Sequence, residues 1–106
     1  MSKKSETIFK ERVLADLKGL PNCYARKISQ VSIRGMPDII GCISGLFFSL
    51  ELKATERDRP DERQKYELNK IKEAGGIALA VHPGTWPLAL EALRGIPKKV
   101  NDIKGL

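Results

Sequence analysis

Two short stretches of this 106-residue chain carry the residue types best suited to chemistry. A Gly-Met-Pro-Asp segment ends at Asp38, and a Leu-Glu-Leu-Lys segment ends at Lys53. The carboxylates of Asp38 and Glu51, together with the backbone carbonyl of Leu52, are hard oxygen ligands of the kind that Mg²⁺ or Mn²⁺ prefers. A lysine beside such an ion can orient a water molecule or neutralise charge on a phosphate. The set therefore suits phosphodiester hydrolysis better than acyl or glycosyl transfer.

A predicted β-hairpin brings these two stretches together. Two apolar runs, residues 39–43 and 46–48, flank a Ser-Gly pair of the kind that forms a tight turn. Asp38 opens the first strand while Glu51 and Lys53 close the second, so all three lie at one end of the hairpin. Alternation along a strand places Glu51 and Lys53 on the same face. A plainer interpretation stays open, in which Glu51 and Lys53 form a surface ion pair and Asp38 is a turn residue after proline.

The remaining elements predict an α/β fold with a small mixed sheet flanked by helices. Apolar spacing at Phe9, Val13 and Leu17 predicts a first helix, and a Gly-Gly pair ends a second. The continuous apolar run of residues 77–81 predicts a strand that is buried on both faces and parallel to the strand of Glu51. The predicted order is α-β-β-β-α-β-α, with elements at about 5–20, 23–28, 39–43, 46–53, 60–74, 77–81 and 85–95.

Composition is that of one globular domain, which we expect to span residues 1–106 with a core at about 5–94 and a basic tail at 95–106. The 19 Lys and Arg residues outnumber the 13 Asp and Glu, giving a net charge of +6 that favours a polyanionic partner but also serves solubility. Cys23 and Cys42 lack metal-binding spacing and are expected to be reduced core residues. With no apolar leader or membrane-length run, we expect a cytoplasmic protein of a bacterial or phage-infected host cell.

Basic residues cluster in the segments that flank the predicted site. Such side chains hold a phosphate backbone without reading its sequence, although any one of them could belong to a solvated surface. The six aromatic residues are mostly in core-like positions, which favours duplex or branched DNA over single strands. The candidate DNA-binding residues are Arg26, Lys27, Arg34, Arg57, Arg59, Arg63 and Lys65.

The motifs resemble a known nuclease family. Pro37-Asp38 followed by Glu51-Leu52-Lys53 matches the PD-(D/E)xK signature. More narrowly, Arg-Gly-Met-Pro-Asp-Ile-Ile, then Leu-Glu-Leu-Lys-Ala, then Gln64 and an Ala-Gly-Gly before a strand resemble the virus-type replication-repair nuclease (VRR-NUC) family, over about residues 6–93. The resemblance implies a restriction-endonuclease-like core and a Mg²⁺- or Mn²⁺-dependent DNA endonuclease. It also implies a homodimer acting on branched DNA such as Holliday junctions in DNA repair, as in small phage members.

The resemblance also implies roles for individual residues. Asp38 and Glu51 would be metal ligands, Lys53 the catalytic lysine, and Gln64 a helix residue beside the metal and the scissile phosphate. Glu6 would support the metal directly or through water, with Glu11 as its rival.

One feature departs from the family, which often places a Ser-Pro or Thr-Pro cap close before the glutamine. This chain has Arg59-Pro60 and an extra residue there, which puts the pose of Gln64 in question. A DNA-binding module that keeps the fold without the activity is the alternative function.

Overall fold

A computed structural model describes residues 2–29, 32–99 and 102–105. Its helices and strands follow the predicted order and confirm the α/β class. The first helix begins earlier than predicted, at Ser2, and the second begins after Pro60, which therefore lies outside the helix. The elements are α1 (Ser2–Lys18), β1 (Cys23–Lys27), β2 (Ile39–Ile43), β3 (Leu46–Leu52), α2 (Glu62–Glu73), β4 (Ile77–Val81) and α3 (Trp86–Arg94).

The four strands form one mixed sheet in the order β1-β2-β3-β4. The pairs β1–β2 and β2–β3 are antiparallel, whereas β3 and β4 are parallel, as predicted for a crossover through α2. The β2–β3 turn uses Ser44 and Gly45, both with positive φ (52° and 93°), as a tight hairpin turn requires. This turn fixes the register that sets Ile39 opposite Leu50, and so brings Asp38 to the end of β3.

The prediction that β4 is buried on both faces is wrong. β4 is an edge strand that alternates large and small residues. Ile77, Leu79 and Val81 pack against the core, whereas Ala78 is buried and Ala80 is exposed on the opposite face. A run that looks uniformly apolar in sequence thus presents only small side chains to the second face.

The core lies between α1, α3 and one face of the sheet. Phe9, Val13 and Leu17 form the predicted stripe and pack with strand residues that include Phe48. Trp86 is fully buried, and its indole N–H donates a hydrogen bond to the Asp16 carboxylate (2.8 Å). This packing leaves the other face of the sheet to α2, which lies on β3 and β4.

The two cysteines do not both enter the core. Cys23 is half-buried, and burial raises the pKa of its thiol, with the nearby Cys42 contributing in the same direction. Cys42 is exposed, contrary to prediction, because its side chain projects from the face of the sheet that α1 does not cover. Within the described ranges, none of the helices has the length and apolar character needed to cross a membrane.

Candidate active site

Asp38 is fixed by backbone hydrogen bonds on both sides. Its N–H donates to the Leu50 carbonyl (3.0 Å), and its own carbonyl accepts from the Ile28 N–H (2.7 Å). The Asp38 carboxylate then accepts a hydrogen bond from the Leu52 N–H (2.7 Å). Asp38 therefore bridges the start of β2 and the end of β3, which goes beyond the role of a turn residue.

Glu51 is a buried carboxylate with one oxygen occupied and one free. The residue is only 4% exposed. Oε2 accepts a 2.6 Å hydrogen bond from the Gln64 side-chain amide and lies 3.4 Å from the Lys53 ammonium. Oε1 is also buried, but no hydrogen-bond partner reaches it within the described part of the chain. A buried carboxylate oxygen without a partner is costly, and a bound cation is one way to offset that cost.

These burial values argue against the interpretation of Glu51 and Lys53 as a surface ion pair. Their side chains are 5% and 19% exposed. Burial raises the pKa of Glu51 to about 7, and the neighbouring Asp38 carboxylate raises it as well, while Lys53 lowers it. A second carboxylate close enough to oppose the ionisation of Glu51 gives the arrangement that a divalent cation stabilises.

Gln64 is held by the N-terminal cap of α2. Asp61 is the N-cap residue: its carboxylate accepts from the Gln64 N–H (2.8 Å), and its own N–H donates to Gln64 Oε1 (2.9 Å). The same Oε1 accepts from the Lys53 ammonium (3.0 Å). Because two donors occupy the oxygen, the amide nitrogen is turned toward Glu51. The sequence carries a signal for this cap, because Asp-x-x-Gln is the spacing of a capping box.

A cavity of about 130 Å³ lies between α1 and the active-site end of the sheet. It brings Glu6 to the same cavity as Asp38 and Lys53, whereas Glu11 does not line it. Since α1 begins at Ser2, Glu6 lies beyond the first helical turn, so the helix dipole does not account for its position. The lining residues are Glu6, Thr7, Phe9, Lys10, Asp38, Leu52 and Lys53.

Lys10 was missed in the sequence. The spacing of Glu6 and Lys10 by one helical turn is the signal that could have placed them on one face. Glu51 is not among the residues that line this cavity, and its Oε2 is held by Gln64 of α2.

The donor set fits a hard divalent cation with few protein ligands. Across residues 2–29, 32–99 and 102–105, no three His, Cys, Asp or Glu side chains converge as a metal cluster. Mg²⁺, however, is commonly held by one or two carboxylates and keeps several water molecules. Asp38 and the unpartnered Oε1 of Glu51 meet that requirement. The metal-ligand roles of Asp38, Glu51, Glu6 and the Leu52 carbonyl all stay predictions.

The predicted DNA-binding residues are all exposed, and part of the set gathers beside the site. Arg26 and Lys27 end β1 next to Asp38. Gly35, with φ of 85°, packs so closely on the Arg63 backbone that an added Cβ would lie 2.6 Å from its carbonyl carbon, which brings the Arg34 loop to α2.

The other three residues of the set are Lys65, Arg59 and Arg57. Lys65 forms an ion pair with Glu62 (3.6 Å), and Arg59 lines a groove beside β4 and α3. Arg57 lies in the exposed loop before α2.

The prediction that aromatic residues are mostly in the core is wrong for half of them. Tyr24, Phe47 and Tyr66 are 60%, 45% and 51% exposed. The Arg26 guanidinium lies 4.5 Å from the Tyr24 ring centroid, and that of Arg63 lies 5.6 Å from the Tyr66 centroid. Tyr24 is exposed because it lies on the edge strand β1, whereas α2 lies on β3 and β4.

Comparison with known proteins supports the fold. No family model and no curated protein matches the chain. A solved structure described as "VRR_NUC domain" matches with a TM-score of 0.61 and 24% sequence identity, covering 86% of this chain and 94% of that one. The fold implied by the sequence resemblance is therefore confirmed: the chain has the fold of a VRR_NUC domain.

Proposed function

We propose that the protein is a divalent-metal-dependent endonuclease that hydrolyses phosphodiester bonds in DNA. One observation carries the proposal: a buried glutamate, Glu51, keeps an unpartnered oxygen while Lys53 and Gln64 hold its other oxygen. Asp38 lies directly before the neighbouring strand β2, and its charge opposes the ionisation of Glu51. A purely structural role does not require such an arrangement, because replacing a buried charged group by an apolar one is often neutral or stabilising.

Each side chain has a definite task in this proposal. Mg²⁺ or Mn²⁺ held by Asp38 and Glu51, with the Leu52 carbonyl and Glu6 as further candidates, would polarise the phosphate and supply a reactive water molecule. Lys53 presents a positioned ammonium that can donate a hydrogen bond to a phosphate oxygen as negative charge develops on it. Gln64 fixes the orientation of Glu51, so that Oε1 stays available.

The basic surface beside the site supplies the affinity for DNA. Arg26, Lys27, Arg34 and Arg63 are exposed near the active-site end of the sheet, and the net charge of +6 favours a polyanion. We further propose branched DNA such as a Holliday junction as the preferred substrate, and a homodimer so that two active sites face two equivalent strands. Both proposals follow from the family resemblance and from size, and we propose in addition a cytoplasmic location.

The test is DNA cleavage by purified protein with Mg²⁺ or Mn²⁺, over supercoiled, flap, splayed and four-way substrates. Lys53→Ala and Asp38→Ala are expected to abolish cleavage while the far-ultraviolet circular dichroism stays unchanged. Lys72→Ala, an exposed lysine on α2, is the matched control and is expected to cleave normally. Cleavage that survives EDTA, or that Lys53→Ala retains, would contradict the mechanism. Binding without turnover on every substrate would instead favour the DNA-binding module.

A further inference from the structure

The face of the sheet that carries Glu51 is only partly covered. Register places Tyr24, Cys42 and Phe47 side by side across β1, β2 and β3, and sets Arg26 beside Ile40 in the next row. Because α2 lies on β3 and β4, the half of this face formed by β1 and β2 has exposed side chains. We call Tyr24, Arg26, Ile40, Cys42 and Phe47 the open sheet face.

The open sheet face contains a stacked aromatic–guanidinium pair. Tyr24 is 60% exposed, and the Arg26 guanidinium lies 4.5 Å from its ring centroid. A hydrogen bond from the same guanidinium to the Ala25 carbonyl (3.0 Å) holds Arg26 over the ring. Tyrosine rings and arginine planes are the two protein surfaces on which unpaired bases stack.

The charge around the open sheet face matches a phosphate backbone. Arg26 lies within it, and the exposed Arg63 of α2 lies next to the loop of the exposed Arg34. Two acidic side chains lie along the same side of α2. Glu73 is 3.4 Å from the Lys70 ammonium, and Glu67 is half-buried. Cations therefore predominate along the path from Tyr24 to the site.

The Tyr24–Arg26 pair and Glu51 are close enough along the sheet for one DNA strand to reach both. Tyr24 lies two strand spacings from β3, level with Phe47, and Glu51 lies further along β3 on the same face. At about 4.8 Å between strands and 3.4 Å per residue, Tyr24 is about 17 Å from Glu51. That span equals about five nucleotides at the 3.4 Å rise of a duplex strand, and fewer in an extended strand.

We propose that the open sheet face binds an unpaired segment of DNA, with a base stacked on the Tyr24–Arg26 pair, and leads that strand toward Glu51 and Lys53. The inference rests on the proposed function, since it takes DNA to be the substrate. Within an intact duplex the bases stack on one another, so their faces cannot reach an aromatic platform. The platform thus selects DNA that has unpaired nucleotides beside the cleavage point.

The experiment measures binding without chemistry, in EDTA, by fluorescence anisotropy. The probes are a fully paired duplex and the same duplex carrying a single-stranded arm, with 2-aminopurine placed along the arm. Tyr24→Ala is expected to weaken binding of the armed duplex roughly fivefold or more and to abolish the stacking change in 2-aminopurine fluorescence. Tyr24→Phe, which keeps the ring, is expected to retain both. Tyr66→Ala is the matched control, because Tyr66 is an exposed tyrosine under an arginine on α2.

Two results would overturn the inference. The first is that Tyr24→Ala binds the armed duplex as tightly as the wild type, whether or not Tyr66→Ala binds it more weakly. The second is an equal loss for armed and paired DNA, accompanied in sedimentation by a change of oligomeric state, which would make the face a contact between copies. This binding assay is independent of the cleavage assay described above. A protein that binds the armed duplex as expected but cleaves no DNA would contradict only the proposed function. A protein that cleaves DNA but binds armed and paired duplexes equally well would contradict only the platform.

Discussion

The stability of the metal-free protein is expected to fall between pH 5 and pH 8 because of Glu51. Burial raises the pKa of this carboxyl from its ordinary 4.5 to about 7, and Asp38 adds to the effect. In that interval the folded protein keeps a proton on Glu51 that the unfolded chain has already released. Stability therefore falls as the pH rises through this window, with the full benefit present below pH 4.5.

The size of the effect follows from the two pKa values. A rise from 4.5 to about 7 sets an upper limit of about 3 kcal/mol on the free energy of unfolding lost at high pH. Lys53 and Asp38 are partly open to solvent, which screens their contributions, so about 1–3 kcal/mol is expected. For a chain of this size, each 1 kcal/mol lowers the melting temperature by roughly 4–8 °C. The Cys23 thiol, whose raised pKa lies above this range, does not titrate in the window.

The assay is urea unfolding in EDTA at several pH values, followed by the fluorescence of Trp86, the one tryptophan of the chain. Glu51→Gln keeps the shape of the side chain but has no charge to titrate, so its stability is expected to be nearly constant over the same window. At pH 8, adding Mg²⁺ or Mn²⁺ should stabilise the wild type and leave Glu51→Gln largely unchanged, because proton and metal compete for the same carboxylate. A flat or rising profile for the wild type, or the same slope in both proteins, would refute the reasoning.

Three further predictions concern the elements that hold the site. Asp61→Ala removes the cap acceptor and is expected to lower the free energy of unfolding in urea by about 1 kcal/mol and to lower cleavage. Asp61→Asn keeps the acceptor and should retain most of the stability and most of the cleavage. Equal losses in the two variants would contradict the role of the cap in positioning Gln64. Gln64→Leu leaves the Lys53 ammonium and Glu51 Oε2 without their amide partner and is expected to reduce turnover and Mn²⁺ affinity by calorimetry; unchanged values would contradict the hydrogen-bond network. Gly41→Ala is expected to destabilise the fold by about 1–3 kcal/mol in the same unfolding assay, since its Cβ would lie 2.2 Å from the Tyr24 carbonyl oxygen; wild-type stability would show that the strands can separate.

Local sequence patterns predicted the part of the site that one hairpin determines. A Ser-Gly turn with positive φ at both residues fixes the register, and alternation then sets Glu51 and Lys53 on one face. The position of Asp38 at the end of β3 follows from that register alone. These features need no knowledge of distant packing, which is why the sequence alone was sufficient for them.

Features that depend on distant packing were predicted less well. The exposure of Tyr24 depends on where α2 lies, which no pattern within β1 encodes. The one-sided burial of β4 depends on its place at the sheet edge, because Ala78 and Ala80 read as apolar in sequence whichever way they face. The cavity that joins Glu6 and Lys10 to Asp38 requires the packing of α1 against the end of the sheet.

The cap of α2 orients Gln64 independently of the Arg59-Pro60 segment that precedes the helix. The residues that differ, Arg59 and Pro60, precede the helix, whereas the spacing that orients the amide runs from Asp61 to Gln64. A helix must satisfy its first N–H groups in any case, and here the Gln64 side chain that completes the capping box also accepts from Lys53 and donates to Glu51. The start of the helix and the orientation of the glutamate are therefore set by the same hydrogen bonds. Changes in the preceding loop leave those bonds intact, while one residue added between Asp61 and Gln64 would turn the amide by about 100° away from Glu51.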